Sequence, residues 1–339
     1  MPWRAIAALL WLCASGLVAC ATPPRLRATS EVRTPAAPIG GEISAVTRQD
    51  LWLRCGALRC AAWLYRPASV TNERVPVVVM AHGFGFTREV FLPEVARRFA
   101  ERGLAVLLFD YRHFGESDGK PRERLRVPLQ LEDWRSAVAA ARALEGIDPE
   151  RVALFGTSFS GGHVLEISAS DSRVRAVVAQ VPFSDGAAGE RAPFAFRVRA
   201  GLAILLDYAV SAIGLGPVYV PVIGAPGTFA AQTSEVTYRA FSALEIPPSW
   251  RNQIPARAML EIGAYFPGRS ASRIQAPLLL VATRDDELVP LSSVERLARA
   301  APRAVLRVEP GTHFDVYGPP LRDAIVRAQA EFLTEHLAR

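Results

Sequence analysis

The chain has 339 residues, enough for one large α/β domain with an insertion or for two smaller domains. Hydrophobic residues make up 50%, so a sizeable core is within reach. Lys plus Arg number 39 against 33 Asp plus Glu, and no basic cluster is interleaved with aromatic residues. Nucleic-acid binding is therefore without support, and the composition suits an enzyme with an Arg-rich surface.

Residues 1–4 form a short basic start, and 5–19 form an apolar run ending in Leu17-Val18-Ala19-Cys20. This resembles a bacterial lipoprotein signal. That resemblance implies a signal peptide over 1–19, lipid attachment at Cys20 and membrane attachment through the lipid. An ordinary secretory signal or an uncleaved anchor is the alternative, and the run is short for a membrane span. Ala21 is not aspartate, so by the same resemblance nothing retains the protein at an inner membrane. The expected localisation is exported, on the periplasmic or outer-membrane side. Residues 20–45, rich in Pro, Ala, Thr and Arg, read as a flexible tether.

The folded part retains Cys55 and Cys60, which flank Gly56-Ala57-Leu58-Arg59. This reads as a hairpin between strands at 51–54 and 61–65. A disulfide across it is reasonable in an exported protein, worth about 2 kcal/mol for so small a loop. A CxxxxC metal pair is the rival, without a nearby third or fourth ligand in the sequence.

From residue 75 strands and helices alternate. Strands are expected at 75–81, 104–109, 151–155 and 174–181, and helices at 88–102, 129–144 and 160–170. Near-continuous Val/Leu/Ile strands imply a mostly parallel sheet with helices on both faces. The rhythm breaks at Pro182. Residues 200–213 are apolar with helical spacing, interrupted by Asp207, and read as a buried helix rather than a membrane span. A Gly/Pro-rich loop follows over 214–227, then helices at 235–241 and 255–262. Alternation resumes with strands at 278–282 and 304–308 and helices at 291–301 and 319–337. The expected organisation is a core of 46–185 and 273–339 with a helical cap of 186–272 inserted before the acid-bearing strand.

The string Gly156-Thr157-Ser158-Phe159-Ser160-Gly161-Gly162 lies between a strand and a helix, the setting of a nucleophile elbow. The second small position, usually glycine, is Ser160. A rival register makes Ser160 the nucleophile, but it puts Ser158 where the tight turn wants glycine. Asp285-Asp286 and His313 follow two later strands. Strand ends on one sheet edge are where sites form. A serine hydroxyl needs a base to take its proton, imidazole suits that task, and a carboxylate fixes the imidazole tautomer.

With AHGFG at 81–85, FDYRHFGESDG at 109–119, FGTSFSGGH at 155–163, DDELVP at 285–290 and GTHFDVY at 311–317, the chain resembles the α/β-hydrolases across 51–337. The likeness is to the capped branch of esterases, serine-aminopeptidase-like and polyketide-transferase-like members. The resemblance implies a Ser158-Asp286-His313 triad. Asp286 is preferred to Asp285 because it stands four residues before the Pro of D-x-x-V-P. It also implies an oxyanion hole from the backbone N–H groups of Phe84 and Phe159. His82 is read as bracing the oxyanion loop, and Asp110, Arg112 and Ser117 as supporting the elbow. His113 and His163 are read as structural, and His336 as lying in the exposed last helix. No metal or cofactor motif is present, so none is implied.

The expected function is hydrolysis of a carboxylic ester, or a thioester, of a small-molecule acyl substrate through an acyl-enzyme. The alternatives are an acyltransferase, an aminopeptidase holding a substrate amine on a cap carboxylate such as Asp207, and a non-catalytic binding lipoprotein. Asp207 either points into the pocket or faces solvent. The apolar helix around it is expected to bury its side chains and to line the pocket in part. The oligomeric state is left open.

Overall fold

A computed structural model describes residues 46–67, 74–187 and 193–338. The expected signal peptide, the Cys20 attachment site and the tether up to residue 45 lie outside these residues.

Strands β1 (Val46–Cys55) and β2 (Leu58–Pro67) form a hairpin turning at Gly56-Ala57, tighter than the four-residue turn expected. Gly56 has φ +60°, a left-handed conformation that glycine takes without steric cost. The Cys55 and Cys60 side chains meet across this hairpin with Cα atoms 5.8 Å apart. The Asp133 carboxylate lies within 4.8 Å of both sulfurs, so a third ligand-type group is near them after all. It is already engaged, accepting from the Arg112 N–H at 3.0 Å and Nε at 2.7 Å.

The chain continues through β3 (Val75–Ala81), α1 (Leu92–Ala100), β4 (Ala105–Phe109), α2 (Val127–Ala143), β5 (Ile147–Thr157), α3 (Phe159–Ser170) and β6 (Val174–Gln180). An insertion then carries α4 (Phe194–Ala212), β7 (Tyr219–Val220), α5 (Glu235–Ser242), β8 (Ile254–Pro255) and α6 (Ala258–Gly263). Strand β9 (Leu278–Thr283), α7 (Leu291–Ala300), β10 (Ala304–Glu309) and α8 (Leu321–Leu337) complete the order. The main sheet has the order β1-β2-β4-β3-β5-β6-β9-β10. Strands β3 to β10 in it pair in parallel, and β2 is antiparallel to β1 and β4. Helices α1 and α8 pack together on the sheet, as do α2 and α3. Val77, Val78, Leu107, Leu108, Leu154 and Val178 are fully buried, because both sheet faces are covered. The expected parallel α/β sheet is thus present.

The insertion closes over the loops at the strand ends. A Cβ on Gly85 would come within 2.7 Å of Val222 and 3.3 Å of Ile254. Trp250 Nε1 donates to the Gly85 carbonyl at 2.9 Å. Glu261 accepts the Val127 N–H at 2.9 Å, supplying from the insertion a carboxylate at the start of α2, whose own N-cap residue Arg126 gives no side-chain cap.

Two expectations for the insertion fail. Helix α4 begins earlier than expected, and Asp207 is its one fully buried residue. Phe194, Leu202, Leu205 and Ile213 are 77%, 63%, 67% and 72% exposed, so this face neither packs inward nor lines a pocket. Asp207 points neither into the site nor to solvent. Its carboxylate accepts from the Val218 N–H at 2.9 Å, the Arg257 N–H at 3.0 Å, Arg257 Nε at 2.7 Å and Arg257 Nη2 at 2.8 Å. Burial alone would raise this carboxyl, but the hydrogen bonds and charge of Arg257 hold it below its ordinary value. The pair pins α4 to the start of α6. Among the described residues no helix is long and apolar enough to cross a membrane.

Candidate active site

Ser158 stands between β5 and α3 with φ 55° and ψ −122°. A non-glycine residue held there stores on the order of 1–3 kcal/mol of backbone strain. The turn is possible only because its neighbours lack side-chain bulk. A Cβ on Gly156 would fall 2.2 Å from the Ser160 carbonyl oxygen, and one on Gly161 would fall 2.7 Å from Pro182. Ser160 already lies in α3, fully buried, where its Oγ accepts from Tyr111 OH at 3.1 Å. The turn position therefore belongs to Ser158, and the Ser160 register does not fit the geometry.

His313 follows β10. Its Nε2 lies 3.0 Å from Ser158 Oγ and its Nδ1 lies 2.7 Å from Asp286 Oδ2. A carboxylate oxygen accepts, so Nδ1 carries the proton and Nε2 is left with a lone pair facing the serine hydroxyl. Asp286 follows β9 and is oriented by the N–H groups of Leu288 at 2.9 Å and Val289 at 2.7 Å, both donating to Oδ1. Asp285 is exposed. Asp315 fastens the histidine loop, accepting from the Thr312 N–H at 2.6 Å and Oγ1 at 2.8 Å. The structure thus brings Ser158, His313 and Asp286 together and leaves Asp285 out.

The loop after β3 runs against the serine. A Cβ on Gly83 would lie 3.1 Å from Ser158 Cβ and 3.6 Å from its Oγ, and Phe84 is the next residue of this loop. Phe159 opens α3, so its N–H is one of those a helix start leaves without an intrahelical acceptor. The Phe84 and Phe159 rings meet edge to face at 5.6 Å. His82 Nδ1 donates to the Gly83 carbonyl at 3.0 Å, and the ring packs on Tyr111. Asp110 receives the Arg88 N–H at 2.7 Å and also binds its guanidinium, while Ser117 Oγ donates to the Asp110 carbonyl at 2.9 Å. These groups brace the loops and do not reach the serine.

The matching family model is that of the alpha/beta hydrolase family, over residues 78–326. The chain belongs to the alpha/beta hydrolase family. This α/β-hydrolase is similar to the quorum-quenching protein AidA of Acinetobacter baumannii (strain MDR-ZJ06), 41% identical over 291 residues, 84% of this chain and 93% of that protein. It is 26% identical to the polyketide transferase af380 of Aspergillus fumigatus over 313 residues, 86% of this chain and 99% of the relative. Among solved structures, the alpha/beta hydrolase GrgF from Penicillium sp. sh18 superposes with a TM-score of 0.74 at 26% identity, covering 86% of this chain and all of that one, 100%.

Around its serine and histidine this α/β-hydrolase is aromatic. Phe314 lies 5.3 Å from the His313 ring and 5.4 Å from Phe241 of the insertion. Phe86 stacks on Trp250 at 5.2 Å. Phe159, Phe183 and Tyr265 pack on the other side of the elbow. Phe86, Phe159, Phe314 and Tyr265 are buried, so the serine and histidine sit in largely apolar surroundings. Trp250, Phe241 and Tyr265 go unnoticed in the sequence. Their only signal there is the density of aromatic residues in an insertion otherwise rich in Gly and Pro.

The other histidines lie away from the serine hydroxyl. His113 is pushed down to about 4, mainly by burial and then by Arg124. His336 is half-buried rather than on an exposed helix face, with Nδ1 on the Phe332 carbonyl at 2.8 Å. His163 is enclosed between Tyr265 OH at 2.8 Å and Gln130 Oε1 at 3.0 Å. The glutamine oxygen only accepts, so Nε2 bears the proton and Nδ1 accepts from the tyrosine. Burial pushes His163 down to about 3 from an ordinary 6.5. The native state therefore prefers the neutral ring. Its contribution to stability is complete above pH 6.5 and is lost as pH falls toward 3. His163→Gln is expected to flatten the acid limb of the stability profile by about 1.4 kcal/mol per pH unit, one proton's worth. Urea denaturation of both proteins across that range reads the difference in slope.

Proposed function

We propose that this α/β-hydrolase is a serine hydrolase that cleaves carboxylic esters or thioesters of small acyl substrates through an acyl-enzyme on Ser158. One observation carries the reading: the hydrogen-bond chain from Ser158 Oγ through His313 to Asp286, at 3.0 and 2.7 Å. Ser158 Oγ attacks the carbonyl carbon while its proton passes to His313 Nε2. The carbonyl electron pair moves onto the oxygen, for which the family resemblance names the amides of Phe84 and Phe159 as donors, each worth roughly 3–4 kcal/mol. The oxyanion collapses, the bond to the leaving alcohol or thiol breaks, and that group takes the proton from Nε2. Water repeats the sequence and frees Ser158. Asp286 keeps Nδ1 protonated and balances the imidazolium. None of these steps calls on a metal or cofactor.

The aromatic walls support an apolar acyl group. The capture of Asp207 by Arg257 weighs against an aminopeptidase, because that carboxylate is spent within the insertion. The test is a panel of p-nitrophenyl esters of increasing chain length, thioesters, and aminoacyl anilides with free and blocked amines. Preference for apolar esters or thioesters is expected. Preference for free-amine anilides overturns the reading. Acyl transfer is the second reading, favoured by the likeness to a polyketide transferase over most of both chains. It would show as an acylated product when an alcohol or amine acceptor is added.

Export is part of the same proposal, with processing before Cys20, lipid on that cysteine and a disulfide between Cys55 and Cys60. The Cα separation of 5.8 Å suits such a bond. Alkylation and mass analysis of the native protein should find a lipid-bearing N-terminus and no free thiol at Cys55 or Cys60. An intact Met1, or two alkylated cysteines in the hairpin, counts against it.

A further inference from the structure

Helix α4 is inside out. Its one fully buried side chain is an aspartate, while most of its large apolar residues face solvent and Ile204 alone among its large aliphatics packs partly against the core. Phe194, Val198, Leu202, Leu205 and Ile213 recur at spacings of three, four and eight residues, which puts them on one helical face. Leu215, 75% exposed, extends the face beyond the helix end. Together these six present apolar area of roughly 700 Å², above the roughly 300–600 Å² of the largest patch on an ordinary monomer. Arg197 and Arg199 are exposed toward the N-terminal end, and the helical spacing sets them at opposite edges of the apolar face.

We propose that this face of α4 rests on a lipid bilayer carrying anionic headgroups, with the helix lying in the plane of the interface. An apolar face flanked by arginines is the pattern of an interfacial helix, its aliphatic and aromatic side chains among the acyl chains and its cations among the phosphates. Charge decides between a bilayer and a second copy of this chain. From residue 193 to 217 the charged residues are Arg197, Arg199 and Asp207. Asp207 is consumed by Arg257, so a second α4 laid on this one brings no free carboxylate to the arginines. Lipid phosphates do.

Chain length permits the arrangement. Residues 20–45 span at most roughly 90 Å when extended. The folded part has a radius of gyration near 19 Å by size alone. A lipid at Cys20 thus leaves the choice of face to the surface with most affinity. The inference depends neither on that lipid nor on the ester reading.

The test is amide hydrogen exchange on the full chain, with and without vesicles of phosphatidylethanolamine and phosphatidylglycerol. Exchange across α4 should slow by roughly tenfold or more on vesicles, while the strands of the sheet are unchanged. Leu202→Glu with Leu205→Glu should abolish the slowing and leave hydrolysis of a soluble short-chain ester at the wild-type rate. Both side chains are exposed, so folding is not at stake. No vesicle-dependent change on α4 overturns the proposal. So does slowing that grows with protein concentration in the absence of vesicles, which would assign the face to a second copy. Loss of ester hydrolysis with the vesicle footprint intact would sink the proposed activity and leave this surface standing.

Discussion

Ser158→Ala should lower turnover by a factor on the order of 10⁵ to 10⁶, and His313→Ala by a similar factor. The double variant should be hardly worse than either single one, because nucleophile and base act in the same step. Serine to alanine removes one oxygen, 3.0 Å from His313 Nε2, and leaves the turn in place. The thermal midpoint is therefore expected to stay within a few degrees of wild type, so lost activity is not mistaken for lost fold. Asp286→Asn should cost about 10⁴, since an amide can present its N–H₂ to the ring and stabilise the wrong tautomer. A fluorophosphonate probe supplies the independent reading. It should label wild type at Ser158 and nothing in Ser158→Ala. Label on Ser160, or an active protein that resists the probe, would dismiss the assignment.

The second large effect belongs to the insertion. Asp207→Ala leaves the Arg257 guanidinium without its partner and orphans the Val218 amide. Breaking a buried ion pair from one side costs about 3–5 kcal/mol, and the partial exposure of Arg257 points to the lower end. The loss should be confined to 194–263, visible as faster proteolysis and faster amide exchange there, with β3 to β6 unaffected. Asp207→Leu with Arg257→Met should be less harmful than either single change, because no charge is then stranded. The carboxyl sits below its ordinary pKa, so the stabilisation is complete above the unfolded value and fades as pH falls through the folded one. A uniform loss across the whole domain would contradict this picture.

The parallel sheet is legible in the sequence because strands buried on both faces must be apolar at every position. Runs such as Val77 to Met80 and Leu278 to Val281 admit few other structures. The chain order of Ser158, Asp286 and His313 is legible for a related reason, since each follows such a run. Between Asp285 and Asp286 the D-x-x-V-P string singles out Asp286 by resemblance, and the inward turn of that carboxylate is visible only in the structure. Helix α4 is misread because apolar content is taken to mean burial. That inference holds only when something lies opposite, and the side chains of Phe194, Leu202, Leu205 and Ile213 stay exposed among the described residues. Strands β7 and β8 are two residues each, too short for a period to show. The approach of Asp133 to the two cysteines depends on how α2 lies against β1, a tertiary fact that no spacing encodes.

Trp250 and Gly85 bear on how this protein can be altered. The indole holds the carbonyl of the loop that carries the Phe84 amide, and Val222 and Ile254 fill the space a side chain at Gly85 would need. On the proposed reading, the insertion therefore bears on the loop that supplies an oxyanion donor as well as on the acyl group. Libraries built by randomising the insertion to broaden specificity will shift turnover for every substrate at once, including those the changed residue never meets. Selectivity and speed are adjusted by the same knob, and variants gaining one without losing the other are expected where neither Gly85 nor Trp250 has moved.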